Sequence, residues 1–292
     1  MSTENIGQKK AWSCYLNALL FTLNIARLRC YEDVWTNFER KAYQVAQDNT
    51  ISTHGVTPVF SYLCAPNAST MKLYIVPTPI GNLEDITLRA LNVLRSVNLI
   101  LCEDTRTTAK LLKHYEIDKR CMAYHIFNEH GQMARFLAEI KSHEQVALVS
   151  DAGTPGISDP GFLLARECVA NDIEVECLPG ATAFVPALVQ SGLPCSSFYF
   201  YGFLPHKKGK ETLLKRVAEM EETVIFYESP HRLLKSLQKM MEIMGPGRKV
   251  SVSKEISKIY AHTFRGTLEE AVAHFAQGEV KGEFVIVLSG KE

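Results

Sequence analysis

Short apolar runs alternate with segments of helical spacing from Met71 onward. Apolar runs of about 4–8 residues bounded by turn residues are typical of buried strands, and apolar positions three and four apart are typical of amphipathic helices. The apolar runs predict strands over residues 72–76, 99–102, 145–149, 174–178, 198–201, 223–227, 250–254, 260–264 and 283–288. The helical spacing predicts helices over residues 87–97, 107–115, 131–142, 161–171, 181–191, 211–220, 230–244 and 268–276.

The order of these segments indicates the fold class. Strands and helices alternate, which favours an α/β protein with a largely parallel sheet. The last strands follow one another through short connections, so we expect partly antiparallel pairing there. We divide the chain into an N-terminal extension (residues 1–70), an N-terminal α/β domain (71–185) and a C-terminal α/β domain (186–292).

The extension does not share this pattern. Residues 11–28 are apolar enough for a helix but lack a clean period, and Ser13, Asn17 and Asn24 interrupt them. Because no small-residue cleavage site follows, a secretion signal is disfavoured. Residues 48–70 form a largely polar, proline-containing linker. We expect Met71 to be the natural start of the protein, with a lineage-specific helical arm as the alternative.

Composition excludes several classes of protein. The 292 residues are 46% hydrophobic and 22% charged, which is enough apolar material for a sizeable core. Lys plus Arg and Asp plus Glu both number 32, which excludes an overall basic coat but not a local basic patch. No apolar run is long enough to span a membrane, so we expect no membrane partner. The eight cysteines include no CxxC pair, which indicates reduced thiols and no metal site.

Three loops rich in glycine and proline follow predicted strands. They are PTPIGN (77–82), SDAGTPGISDPG (150–161) and LPGATA (178–183). Glycine lets backbone approach a ligand closely, and ligands of open α/β sheets bind at the carboxyl ends of strands. The loops therefore predict one small-molecule site. Within the second loop, Asp159 and Pro160 predict a helix N-cap followed by proline at the first helical position.

Charged clusters also lie in the predicted loops, most of them at strand ends. They are CEDTR (102–106), NEH (128–130), YESPHR (227–232) and KE (254–255). Charged residues in loops at strand ends are more often functional than part of the packed core. The alternatives are a helix cap for Asp104 or Ser229 and a solvated ion pair between Lys254 and Glu255. No P-loop, GxSxG or GxGxxG motif is present.

Several of these strings occur together in one known family. The strings LYIVPTPIGNLEDITLRAL, CEDTR, VALVSDAGTPGISDPG, LPGATA, FYGFLP, IFYESPHRL and SKEI strongly resemble the ribosomal RNA small subunit methyltransferase I family of the tetrapyrrole methylase superfamily. The resemblance extends from about Met71 to Leu288. It implies two α/β domains with the cofactor in the cleft between them.

The resemblance also implies an activity. Members of the family transfer a methyl group from S-adenosylmethionine to the ribose 2′-oxygen of a cytidine in the decoding region of 16S ribosomal RNA. They act in the bacterial cytoplasm on the small ribosomal subunit, commonly as homodimers. Many relatives continue into a small helical domain, whereas this sequence ends at Glu292. We therefore expect RNA docking to depend more on the two core domains.

The site residues follow from the matching motifs. The resemblance implies a cofactor cleft formed by Pro79, Asp151, Ala152, Gly153, Thr154, Ile157, Thr182, Ala183, Tyr227 and Glu228. A base near the ribose hydroxyl would speed the reaction by about 10²- to 10⁴-fold. Glu129, His231 and Asp104 are the candidates, and neither the residues nor the resemblance chooses among them.

The densest basic stretch predicts the RNA contact. Lys207, Lys208 and Lys210 are the candidate phosphate contacts, and the alternative is a merely solvated loop. Tyr199, Tyr201 and Phe203 nearby could stack on bases. Two other functions remain open at this point. One is a tetrapyrrole or corrinoid methylase, which the motifs PTPIGN and DAGTPGISDPG disfavour. The other is a non-catalytic RNA-binding factor for ribosome assembly, which would not need an intact cofactor cleft.

Overall fold

A computed structural model describes residues 71–125, 131–206, 208–278 and 280–291. They belong to one compact unit, Ser69–Glu292. The expectations for the N-terminal extension, and the candidates Glu129 and Lys207, lie outside the described residues.

The first sheet is fully parallel. Its strands are β1 Lys72–Ile75, β2 Leu99–Cys102, β3 Cys121–Ala123, β4 Gln145–Val149 and β5 Glu174–Cys177. Their order is β3-β2-β4-β1-β5. The apolar runs located every strand except β3, whose three residues are only partly buried and therefore carry little pattern. Because β4, β1 and β5 are neighbours, the three glycine-rich loops leave the sheet side by side.

Helices cover both faces of this sheet. They are α1 Leu88–Ser96, α2 Thr105–His114, α3 Met133–Lys141 and α4 Phe162–Ala170. Successive side chains of a strand point to opposite faces, so Tyr74 packs with Leu91 of α1 while Leu73 packs with Phe136 of α3. Each face is therefore a separate buried core, which confirms the α/β class.

The second sheet is mixed. Its strands are β6 Phe198–Phe203, β7 Thr223–Glu228, β8 Lys249–Lys254, β9 His262–Thr267 and β10 Phe284–Leu288. Their order is β6-β7-β10-β8-β9, and only β6 and β7 pair in parallel. This confirms the antiparallel pairing expected of the last strands. β9 begins later than predicted because two turns take up the preceding residues, with Lys258 N donating to Glu255 O and Ala261 N donating to Lys258 O.

The second sheet also has a core on each face. Helices α6 Lys210–Ala218, α7 Leu233–Met244 and α8 Leu268–Ala276 lie on one face, and α5 Phe184–Ser191 lies on the other. The predicted domain boundary at residue 185 thus falls at the start of α5, which packs on the second sheet. Within the described part of the chain, no helix combines the length and the apolarity needed to cross a membrane.

Candidate functional site

The loops after β1 and β4 are joined by their backbones. Thr78 N donates to Gly153 O and Gly153 N donates to Thr78 O, both at 2.9 Å. The buried Thr78 hydroxyl also donates to Ser150 O at 3.0 Å. These three bonds hold Gly153 directly beside the PTPIGN loop.

The loop after β5 completes the arrangement. Thr154 Oγ1 donates to Ala181 O at 3.1 Å. Gly180 lies so close to Pro77 that an added Cβ would be 2.5 Å from the proline Cβ. The predicted meeting of the three loops is therefore confirmed.

Gly153 provides a test of whether this surface suits S-adenosylmethionine. Its φ of +87° lies in the region that favours glycine. An added Cβ would lie 3.6 Å from Ile80 Cγ2 and 3.9 Å from Ala181 O. A side chain here would thus occupy the space between the first and third loops, where the bare backbone leaves room. Exposed peptide groups and small side chains can hold an adenosine and an amino-acid tail, so the residues fit the cofactor.

Tyr227 at the end of β7 faces the same region from the second sheet. Burial raises the pKa of Tyr227 to about 12, while hydrogen bonding to the backbone of Phe184 and Ala183 opposes the rise. The hydroxyl therefore lies at the amino end of α5, where no side chain caps the helix. The structure brings the predicted cleft residues Ala183 and Tyr227 together.

Glu228 differs from its predicted role. Its side chain is fully buried and accepts hydrogen bonds from the Ser236 hydroxyl at 2.7 Å and from Ser229 N at 2.8 Å. Arg232 pairs with it at 2.6 Å. Ser236 of α7 and the residues just before α7 occupy the carboxylate. We therefore infer that the Glu228 side chain stabilises the connection between β7 and α7 and does not contact the cofactor.

Asp104 is a helix cap. Its side chain accepts from Arg106 N at 2.8 Å at the start of α2 and pairs with Arg106 Nη2 at 2.6 Å. These hydrogen bonds lower the pKa of Asp104 to about 2. A carboxylate with so low a pKa is a weak proton acceptor at neutral pH. The structure therefore confirms the alternative of a cap, and the ion pair with Arg106 argues against Asp104 as the catalytic base.

Asp159, in contrast, is not the predicted cap. Helix α4 begins at Phe162, and the preceding Gly161 has a φ of 143° and no capping side chain. Burial, followed by the neighbouring carboxylates of Glu103, Asp151 and Glu283, raises the pKa of Asp159 to about 7. Sequence reasoning treated this residue only as a cap, because an Asp-Pro pair before a helix is so typical of one.

Asp151 and Glu103 lie beside Asp159. Asp151 Oδ1 accepts from Asp104 N at 3.2 Å, which ties the loop after β4 to the loop after β2. Burial raises the pKa of Asp151, and burial together with the Asp151 charge raises that of Glu103. The carboxyl ends of β2 and β4 thus carry a group of interacting acids.

The remaining polar candidates in the loops after β7 and β8 have contacts that differ from those predicted. His231 is exposed at the surface, and Ser229 serves the start of α7 through its backbone carbonyl rather than its hydroxyl. Glu255 pairs with Lys258 at 2.9 Å. This ion pair replaces the predicted contact between Glu255 and Lys254.

The basic stretch is split by the fold. Lys210 Nζ donates to the Ser236 hydroxyl at 2.9 Å, and burial lowers the pKa of Lys210 although the Glu228 charge opposes the shift. Its ammonium therefore faces the protein, which corrects its candidacy as a phosphate contact. Lys208 is exposed, as are Tyr199 (46%) and Phe203 (54%) on β6. Tyr201 is covered by the Arg216 guanidinium, 5.7 Å from its ring centroid.

No metal-binding group of His, Cys, Asp or Glu side chains is found within residues 71–125, 131–206, 208–278 and 280–291. The cysteines of these segments are free thiols, with Cys102 and Cys168 buried and Cys177 and Cys195 exposed.

Comparison with known proteins assigns the chain to a family. The family model of the tetrapyrrole (corrin/porphyrin) methylases matches residues 72–272. A ribosomal RNA small subunit methyltransferase I from Synechocystis is 47% identical over 75% of this chain and 78% of its own length. The Thermotoga maritima protein of the same name is 47% identical over 76% of this chain and 99% of its own length. The chain belongs to the ribosomal RNA small subunit methyltransferase I family.

Solved structures of the wider superfamily share the fold of this methyltransferase I chain. Uroporphyrin-III C-methyltransferase from Thermus thermophilus, solved with S-adenosylhomocysteine, matches with a TM-score of 0.54 at 19% identity, covering 75% of this chain and 97% of that one. Cobalt precorrin-4 methyltransferase matches with a TM-score of 0.56 at 15% identity, covering 77% of this chain and 97% of that one. The two-sheet architecture is therefore that of the tetrapyrrole methylases.

Proposed function

We infer that this protein methylates the ribose 2′-oxygen of a cytidine in the decoding region of 16S ribosomal RNA. That it is an S-adenosylmethionine-dependent methyltransferase follows from its family. The nucleotide and the oxygen are the proposal, supported by the motifs it shares with the family. The relatives named for ribosomal RNA are 47% identical to it.

The observation that carries the proposal is the backbone junction of Thr78 and Gly153 together with the Thr154–Ala181 bond. It leaves a glycine-lined surface at the carboxyl ends of β4, β1 and β5, opposite Tyr227. The residues that would hold the cofactor are Pro79, Asp151, Ala152, Gly153, Thr154, Ile157, Thr182, Ala183 and Tyr227. S-adenosylmethionine bound there would supply the methyl group.

The protein contributes chiefly by positioning the methyl donor relative to the acceptor oxygen. Three loops pinned by backbone hydrogen bonds lose little freedom when a ligand binds, so the donor is held in one orientation toward the acceptor oxygen. The tetrapyrrole and corrinoid alternative has weaker support, because the solved methylases of that type are only 15–19% identical and share the fold alone. A non-catalytic assembly factor would not need an intact cofactor cleft.

RNA would dock at the loop between β6 and α6. Lys207 and Lys208 are the proposed phosphate contacts, and the exposed rings of Tyr199 and Phe203 lie on the adjacent strand. The homodimer and the cytoplasmic location implied by the resemblance remain predictions, the first of which sedimentation equilibrium would test.

Methylation of isolated small ribosomal subunits tests the function. Subunits from a strain lacking the corresponding gene are incubated with the protein and isotope-labelled S-adenosylmethionine, and the 16S RNA is digested for mass analysis. We expect label on one cytidine ribose in the decoding region. Label on a base, on another RNA, or only on an added tetrapyrrole would overturn the proposal.

A further inference from the structure

We propose that Ile259 and Tyr260, the exposed tip of the loop between β8 and β9, contact the RNA substrate, and that the Tyr260 ring stacks on an unpaired base beside the acceptor nucleotide. This inference rests on the proposed ribose methylation and adds a contact to a base. It concerns the end of the SKEI string and the turns that follow it, which the cofactor surface does not include.

The β8–β9 loop (residues 255–261) exposes two large apolar side chains next to each other. Ile259 is 94% exposed and Tyr260 is 78% exposed. Among the described residues, no hydrogen bond, ion pair or ring contact holds the Tyr260 side chain. Single exposed apolar residues are ordinary, but an adjacent pair on one turn beside a ligand surface indicates a partner.

Hydrogen bonds tie this loop to the segment before β10. Glu255 N donates to Glu283 O at 2.9 Å, and Glu283 N donates to Glu255 Oε1 at 2.8 Å. Lys258 Nζ bridges the two carboxylates, at 2.9 Å from Glu255 Oε1 and 3.0 Å from Glu283 Oε2. Ala261 N donates to Lys258 O at 3.1 Å. The backbone is therefore held on both sides of the tip.

The backbone of the loop is also in an uncommon conformation. Glu255 has a φ of 51° and Ser257 a φ of 63°, a region that residues with side chains seldom adopt. Gly282 lies so close to Glu255 that an added Cβ would be 2.6 Å from the glutamate Cγ. Such conformations persist only where the surrounding structure enforces them, and they concentrate at functional sites. The position of the tip is thus fixed at a cost in backbone strain.

The loop lies against the proposed cofactor surface. A Cβ added at Gly81, two residues after Pro79, would collide with Lys258 Cγ and would lie 3.4 Å from Ile256 O. The Ile256 side chain packs on the same core cluster as Tyr227. The tip, which follows Lys258 directly, therefore lies at the rim of that surface.

The size of the tip favours a base over a protein as its partner. Stable protein–protein interfaces usually involve about 20–30 residues on each side, and two side chains are far fewer. One exposed aromatic ring is enough to stack on an unpaired base, and an apolar neighbour can wedge between bases. When a 2′-oxygen reaches the cofactor surface, the flanking nucleotides cross its rim. Tyr260 is placed to receive one of their bases.

The first test measures binding of isolated small ribosomal subunits to fluorescently labelled protein. Tyr260→Ala should raise the Kd by about 5- to 150-fold, the effect of one lost base stack. Tyr260→Phe and Tyr260→Trp keep an aromatic ring and should bind like wild type. Because a stacked ring releases no counterions, the slope of log Kd against log salt should stay unchanged in Tyr260→Ala. The calorimetric Kd for S-adenosylmethionine should also be unchanged.

Val169→Ala is the matched control. Val169 is 65% exposed at the far end of α4 from the glycine-rich loop, so truncating this apolar side chain should leave subunit binding unchanged. Wild-type affinity in Tyr260→Ala would overturn the inference. A changed oligomeric state of Tyr260→Ala in sedimentation equilibrium would also overturn it, in favour of a contact between two copies of the chain.

The second test locates the contact. With the photocrosslinking amino acid p-benzoylphenylalanine at position 260, we expect a crosslink to 16S RNA beside the methylated nucleotide, mapped by reverse transcription. The same amino acid at position 169 should give none. Crosslinks only to protein, or to RNA far from the methylated nucleotide, would overturn the inference. A wild-type protein that binds subunits but methylates no ribose would instead overturn the proposed function, while the Kd comparison still decides the contact with RNA.

Discussion

At the scale of single residues, position 153 shows how one missing side chain shapes the site. Gly153 is buried, has a φ of +87° and donates and accepts a backbone bond with Thr78. Any other residue would be strained there and would fill the space between Ile80 and Ala181. Glycine at this position is therefore required both by the backbone conformation and by the space that the proposed ligand surface needs.

Replacing this glycine should remove cofactor binding. Gly153→Val places a branched side chain on the proposed cofactor surface, so calorimetry should detect no S-adenosylmethionine binding while circular dichroism shows a folded protein. Gly247→Val is the control, because no atom lies within 4 Å of a Cβ added at Gly247 and its φ is not positive. Wild-type affinity in Gly153→Val would reject the assigned surface.

The raised pKa of Asp159 also predicts a pH-dependent stability. From the ordinary value of 3.8 to about 7, the unfolded chain releases a proton that the folded protein keeps, so this group makes the protein less stable as pH rises. Asp159→Asn removes the penalty. It should stabilise the protein by roughly 1–2 kcal/mol at pH 8, a value reduced from the full shift because the carboxyl is partly exposed.

Urea unfolding measures this effect. The free energy of unfolding of Asp159→Asn should exceed that of wild type at pH 8 and approach it at pH 4. Equal stability of the two proteins at both pH values would contradict the raised pKa of Asp159.

At the scale of elements, a buried polar network fixes the start of α6. Lys210 donates to Ser236, Ser236 donates to Glu228, and Arg232 pairs with Glu228 while donating to Leu204 O at 3.0 Å. These contacts join β7, α6, α7 and the segment after β6. They separate Lys210 from the exposed Lys208 only two residues earlier.

Two kinds of lysine variant should therefore behave differently. Lys207→Ala with Lys208→Ala should weaken RNA binding and lower the slope of log affinity against log salt by about one to two units. Lys210→Ala should lower the free energy of unfolding, because it leaves a buried hydrogen-bond network incomplete.

RNA affinity across a salt series and urea unfolding distinguish the two effects. Lys110→Ala with Lys113→Ala removes the same charge from the exposed side of α2 and should leave the slope unchanged. Overlapping salt curves for wild type and the Lys207/Lys208 variant would exclude this loop as the RNA contact.

At the scale of the whole molecule, the described part of the chain after Met71 forms a core on each face of both sheets. Leu73, Leu101, Phe136 and Leu164 fill one face of the first sheet, and Phe226, Leu237, Leu268 and Ile286 occur in the main core of the second. The loop between β4 and α4 links the sheets, because its Ser158 lies against Gly202.

A protein beginning at Met71 should therefore fold and methylate. Its thermal midpoint should lie within a few degrees of that of the full chain, and its kcat and RNA affinity should match. Calorimetry and the subunit methylation assay check this expectation. An insoluble or inactive truncated protein would show that residues 1–70 are part of the structure or of the RNA site.

The sequence by itself determined the elements and the place of the site. Apolar periodicity located all strands of the described chain except the three-residue β3, because burial on a sheet or helix imposes a repeat that neighbouring residues share. Glycine and proline after β1, β4 and β5 indicated the ligand loops, since those residue types act through the local backbone. These properties depend on residues close together in the chain.

Only the tertiary structure decided what the charged side chains do. Asp104 and Asp159 each precede a helix, yet Asp104 meets Arg106 and has a pKa near 2, whereas Asp159 meets Glu103, Asp151 and Glu283 and has a pKa near 7. Lys208 and Lys210 likewise differ because Ser236 lies near only the second. Asp104 has its partner two residues away, whereas the proton affinity of Asp159 and the position of the Lys210 ammonium depend on burial and on partners distant in sequence, which the fold brings together.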